Sequence, residues 1–184
     1  MGEIRTPVPV VLLLAATSRY EAALDWAREQ AQAAWGPPQL VSPPFVFDQT
    51  QYYRSTMGDA LRKQLLAFAQ LIDPGCLGQR KAQTNVWEAA YQQAAAWPEP
   101  RPLNLDPGYL TEGKLVLAST KDHAHRVYLS QGIYAEVTLR FQAGRWQAQP
   151  WTYPDYQSPP YQAFFDRCRD YLRSQLGKSV PRRD

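Results

Sequence analysis

Cysteine, histidine and methionine each occur only twice in the 184 residues, and the first two scarcities narrow the chemistry. Cys76 and Cys168 are too few for a disulfide framework or a four-cysteine zinc site, so a reducing cytoplasm is the expected compartment. The histidines, His123 and His125, sit with Asp122 in one short segment. A catalytic zinc takes three protein ligands, and the third would have to come from Asp106, Glu136 or Asp155. No metal is therefore expected. No loop has the GxxxxGK[ST] spacing that cradles phosphates, so Thr120-Lys121-Asp122 does not make a GTPase. Apolar runs are short as well: residues 8–16 cannot span a bilayer, and the prolines beside them and Glu3 make a poor signal peptide. A membrane is not an expected partner.

The main body also lacks a charge excess. Formal net charge is +3, but residues 1–165 hold 14 basic and 14 acidic side chains, so the surplus lies near the C-terminus in Arg167, Arg169, Arg173, Lys178, Arg182 and Arg183. A nucleic-acid module usually carries a basic stripe on its folded part. Here the pattern reads as a solvated helix face and tail. Length and a 45% apolar composition fit one globular domain, assigned to residues 1–177, with 178–184 a short basic tail.

What is present is a clear order of elements. Residues 8–16 read as a buried strand, and Ser18-Arg19-Tyr20-Glu21 as a capping box opening a helix whose stripe is Tyr20, Leu24, Ala27, Ala31 and Trp35. Phe45-Val46-Phe47 is a second strand, and residues 48–53 a turn and helix start. Residues 61–72 suit strand or helix; the spacing of Leu61, Leu65, Phe68 and Ile72 favours helix. Asn85-Val86-Trp87-Glu88 reads as a second capping box, its helix running to residue 96. From Leu103 the pattern turns to a strand meander, beginning with a type II turn at Asp106-Pro107-Gly108-Tyr109. Residues 114–120 and 126–130 are short strands, and Ile133, Ala135, Val137, Leu139 and Phe141 alternate onto one face. Residues 145–149 are a further strand. A last helix follows Ser158-Pro159 with the stripe Tyr161, Phe164, Phe165, Cys168, Leu172 and Leu176.

That alternation sets Tyr134, Glu136, Thr138 and Arg140 opposite the apolar face, beside Arg126, Tyr128 and Ser130. Convergent polar groups on rigid elements suit ligand binding; the plainer alternative is a solvated sheet face with cross-strand charge pairs. His125 could move protons near neutral pH or be a hydrogen-bonded structural histidine. Thr152-Tyr153-Pro154-Asp155-Tyr156 is a rigid aromatic turn, with Asp155 either a cap or a site carboxylate. Cys168 falls on an apolar stripe, where thiols are usually inert.

Several segments, in order, resemble a known family. They are Phe47-Asp48-Gln49-Thr50 with Tyr52-Tyr53 and Met57-Gly58, Lys81 with Thr84-Asn85 and Glu88, and the stretches 104–110 and 114–121. The likeness continues through His125-Arg126-Val127-Tyr128-Leu129, residues 132–139 and Trp151-Thr152-Tyr153-Pro154-Asp155-Tyr156. The family is the uncharacterised bacterial domain of unknown function 4416. The resemblance implies a stand-alone cytoplasmic domain, and it carries no established activity, cofactor or catalytic residue. It includes the positions of Asp106, Lys121, His125, Arg126, Glu136 and Asp155, but not clearly that of His123.

The expectation is an α+β single domain, a mixed or mainly antiparallel sheet with helices packed on one face and a site on the other. The expected partner is a polar, anionic small molecule. Lys121 and Arg126 would contact the anion, with Asn104 and Tyr128 in the same site. Asp106 and Asp155 would position it, and His125 and Glu136 would be the catalytic pair. No cofactor is indicated. The alternative is an RNA- or protein-binding module built on aromatic residues and the basic last helix.

Overall fold

The first regular element is built from nine residues, VVLLLAATS, every one of which is buried. A strand with no polar alternation must be covered on both sides, and this one, β1 (Val10–Ser18), is. Val11, Leu13 and Ala15 pack with Phe164, Phe165 and Leu172 of the last helix. Leu12, Leu14 and Ala16 pack with Leu24, Ala27 and Ala31 of the first. Each fully buried leucine here contributes about 1.5–3 kcal/mol.

A computed structural model describes residues 2–48 and 53–179. After β1 come α1 (Glu21–Trp35), β2 (Pro38–Val41), β3 (Phe45–Val46), the short α2 (Arg54–Met57), β4 (Arg62–Ile72) and α3 (Leu77–Gln93). The second half supplies β5 (Asn104–Leu110), β6 (Lys114–Ser119), β7 (Val127–Ser130), β8 (Ile133–Gln142), β9 (Arg145–Ala148) and α4 (Pro159–Ser179). The strands form one antiparallel sheet in the order β2-β4-β1-β5-β6-β8-β7, with β3 on β4 and β9 on β8. The expected turn and helix start at 48–53 and basic tail at 178–184 lie largely outside the described residues. Among the described residues, no helix is long and apolar enough to cross a membrane.

The α+β class and the antiparallel sheet are as expected; the placement of the helices is not. They cover both faces, α1 and α3 on one and α4 on the other, because β1 and β4 are apolar on both sides. The same double burial explains residues 61–72, which form β4 rather than a helix. Leu65 and Ala67 face α4, while Leu66 and Phe68 face α1.

Three local readings also change. Ser18 does not close a capping box: its Oγ accepts the Tyr20 N–H at 3.0 Å and donates to Pro102 O at 2.7 Å, and α1 still begins at Glu21. Asn85 and Glu88 lie within α3, which starts at Leu77 after a turn capped by Asp73. The second half is no simple meander, since β8 lies between β6 and β7.

The β8 alternation breaks at a bulge. Leu115 pairs with Leu139 but Val116 pairs with Val137, leaving Thr138 as the extra residue, which reverses the facing of everything beyond it. Ile133, Ala135 and Val137 therefore pack near Leu77 of α3, whereas Leu139 and Phe141 pack on the α4 side. Glu136, directly opposite Leu117, shares the α4 side with Tyr134. Arg140 turns to the other face and is exposed.

The most consequential departure is at Asp106-Pro107-Gly108-Tyr109, which is strand and not turn. β5 pairs with β1 as far as Asn104, opposite Thr17. Its pairing with β6 ends at Gly108, opposite Leu117. Pro107 has no N–H to give to a neighbouring strand, and the ladder stops beside it. At Gly108 an added Cβ would come within 2.5 Å of Val116 O and 2.6 Å of Leu117 Cδ2, so only glycine permits the approach that closes the upper part. Below it β5 and β6 separate into a fork.

Candidate functional site

The fork is lined by opposite charges. On its β5 wall, Asn104 and Asp106 are two residues apart and share the α4 side of the strand. Asn104 Nδ2 donates to Asp106 Oδ2 at 2.7 Å. Lys81 arrives from α3, where it occupies the buried stripe with Leu77, Thr84 and Tyr91. Its Nζ donates to Leu105 O at 2.6 Å and to Asp106 Oδ1 at 3.0 Å, and lies 3.6 Å from Glu88. Glu88 in turn accepts the Leu105 N–H at 2.8 Å and Arg101 Nη2 at 2.9 Å. Arg101 also donates to Asn104 Oδ1. Glu88 thus ties α3 to the start of β5.

The opposite wall comes from β6, β8 and the loop over residues 120–126. Arg126 Nε donates to Glu136 Oε2 at 2.8 Å, and its Nη1 donates to Ser119 Oγ at 2.6 Å and Lys121 O at 3.0 Å. Both side chains of that pair are at most 5% exposed. His125 Nε2 lies 3.0 Å from the same Glu136 oxygen, and its ring stacks on Trp151 at 4.9 Å and 9°. Trp151 is held by donating to Val137 O at 3.0 Å. His123 stacks parallel to His125 at 5.8 Å, and among the described residues no group of three His, Cys, Asp or Glu side chains is placed to hold a metal.

Between the walls is a cavity of about 80 Å³ lined by Tyr53, Lys81, Arg101, Asn104, Asp106, Ser119, Lys121, Arg126, Glu136 and Tyr153, among others. A single water needs roughly 10–15 Å³ on this scale, and drug-sized ligands occupy roughly 300–1,000 Å³. The fork has room for a compact polar group. A larger hollow of about 230 Å³ beside β3 and α2 offers less: its Arg54 is already paired with Asp59.

Of the residues expected to form a site, Asn104, Asp106, Lys121, Arg126 and Glu136 meet at this one cavity. His125 stands one hydrogen bond behind it. Tyr128 is on the edge strand β7, 57% exposed, packed edge-on to Tyr134. Asp155, in a 3-10 turn (Pro154–Gln157) before α4, is buried and accepts Lys63 Nζ at 2.6 Å. Lys63 lies 3.9 Å over the Phe47 ring, and its charge reaches Asp106. Sequence reading of the site missed Lys63, Lys81 and Arg101. The available signal was a lysine inside each of two apolar patterns, residues 61–72 and the α3 stripe.

Burial alone would raise the Asp106 carboxyl. Lys81, the Asn104 amide and Lys63 outweigh that and hold it below the ordinary carboxylate value. A depressed folded pKa contributes stability above the unfolded pKa of about 3.9, and that contribution is lost as pH falls through the folded value. Asp106→Asn is therefore expected to cost about 1.5–3 kcal/mol at pH 7, with the gap to the parent closing below about pH 4. Urea midpoints at pH 7, 5, 4 and 3 check this; a gap that stays constant across the series contradicts it.

The basic last helix is partly committed. Arg169 packs 3.9 Å over Phe141 and donates to Glu112 O at 2.8 Å, and Arg173 lies 3.6 Å from Glu112. Burial pushes the Cys168 thiol up, away from nucleophilic use.

Comparison with family models matches residues 8–171 to the family described as Domain of unknown function (DUF4416). The chain belongs to this family. No curated protein and no solved structure matches it. Membership supplies no activity, so the DUF4416 chain must be read from the fork itself.

Proposed function

We propose that this domain binds, and acts on or senses, a small polar anionic molecule in the fork between β5 and β6. The observation that carries this reading is the convergence on one cavity of Lys121 and Arg126 from one wall and Asn104 and Asp106 from the other. Four cations, Lys81, Arg101, Lys121 and Arg126, line it with the carboxylates Asp106 and Glu136, and Glu88 lies behind Lys81 and Arg101; the remaining excess is positive, which favours an anion. In this reading Lys121 and Arg126 contact the ligand's negative group, Asp106 orients it, and Glu136 holds Arg126 in place. His125 exchanges protons through Glu136, and Asp155 acts at one remove by fixing Lys63 near Asp106. The family resemblance and the two lone cysteines support a bacterial, cytoplasmic setting for this activity.

Thermal unfolding against nucleotides, sugar phosphates, amino acids, divalent metals and a short RNA tests the proposal. A ligand at a hundred times its dissociation constant stabilises by about 2.7 kcal/mol, a rise of roughly 5–10 °C for a chain of this size. The expected result is such a rise with a small anion and its loss in Glu136→Gln. A rise with RNA alone, or one unchanged in Glu136→Gln, overturns the proposal.

A further inference from the structure

The two walls of the fork ask for different things. On the cationic side, Arg126 is fixed by Ser119, Glu136 and the Lys121 carbonyl, so its guanidinium is already aimed when a ligand arrives. On the other side the Asp106 side chain is 30% exposed. Among the described residues it accepts one hydrogen bond on each oxygen, from Lys81 and from Asn104. A carboxylate has about four acceptor positions, so about two remain. Asn104 is the poorer acceptor, because it carries no charge, its Nδ2 donates to Asp106 and its Oδ1 already accepts from Arg101. A ligand carrying only negative charge would meet Arg126 and crowd against Asp106 in a cavity of about 80 Å³.

Resting on the anion-binding reading, we infer that the fork recognises a bipolar head group: a carboxylate-sized anion bearing a hydrogen-bond donor on the adjacent carbon. This is the chemistry of an α-amino acid or an α-hydroxy acid. The anion lies against Lys121 and Arg126, and the donor lies against Asp106. The cavity volume admits that head group and leaves any longer substituent outside it. Phosphodiesters, which have no donor at the corresponding place, are poorly served.

Four small probes separate the possibilities: glycine, glycolate, acetate and ethylamine, each titrated into the whole chain and followed by amide and arginine side-chain NMR shifts. Glycine or glycolate is expected to bind at least tenfold more tightly than acetate or ethylamine, with shifts at Arg126 and at Asp106. Glycine ahead of glycolate identifies an ammonium donor, and the reverse a hydroxyl. In Asp106→Asn the advantage over acetate should shrink to less than threefold while acetate binding persists. Acetate binding as tightly as glycine and glycolate overturns this inference and leaves the anion-binding reading standing. Ethylamine binding as tightly as either overturns it too. If no anionic probe shifts Arg126, both fail.

Discussion

Asp155→Asn is expected to lower the unfolding free energy by about 3–5 kcal/mol, the cost of leaving one buried charge without its partner. Lys63 and Asp155 are 8% and 3% exposed and meet at 2.6 Å, with the ammonium over the Phe47 ring at 3.9 Å and 5.2 Å from that of Tyr156. Asparagine keeps the shape of aspartate while removing its charge and turning one acceptor oxygen into an NH2 donor. The loss is therefore electrostatic and not steric. The pair is not an efficient stabiliser in itself, since taking both charges out of water costs several kcal/mol per ion, which their mutual attraction largely offsets. Replacing both charges, as in Lys63→Met with Asp155→Leu, should recover most of the loss, because apolar substitutes for a buried ion pair are often neutral or better. Urea unfolding midpoints at constant slope report both values. A single-variant loss under 1 kcal/mol, or a double variant no better than the single, refutes this account.

Lys81→Met should cost a similar amount, about 3–5 kcal/mol, for a different reason. Lys81 is 4% exposed at its side chain; it donates to Leu105 O and Asp106 and forms an ion pair with Glu88. Methionine fills the space and leaves the Leu105 carbonyl without its lysine donor and two carboxylates facing each other across the missing charge. Arg28→Ala is the control. It breaks an ion pair of good length, 2.7 Å to Asp25, but its partners are 38% and 51% exposed, and pairs open to solvent contribute about 0–1 kcal/mol. Chemical denaturation of the two variants side by side decides whether burial or mere pairing sets the scale. Comparable losses would mean that the charge network behind the fork is not a structural unit.

Much of the fold is readable locally. The unbroken apolar run of β1, the stripe of α1, the stripe of α4 and the alternation at the start of β8 each depend on neighbours within a few residues, and each element formed where its pattern lay. The errors share a cause. Residues 61–72 satisfy a helical spacing, yet they are a central strand whose two faces are both buried, a case that periodicity cannot separate from a helix. Asp106-Pro107-Gly108-Tyr109 has the composition of a turn, but Pro107 and Gly108 serve the edge of a fork and a close contact with Val116.

The sequence by itself determined the α+β class, the antiparallel second half, family membership and the residue types of a polar site, because those follow from short-range pattern and ordered motifs. Tertiary structure alone decided that Thr138 is a bulge, that helices cover both faces, that β5 and β6 part below Gly108, and which charges meet there. Lys63 finds Asp155 across 92 positions and Lys81 finds Asp106 across 25. Such pairings are set by strand register and sheet order, and no local pattern encodes either.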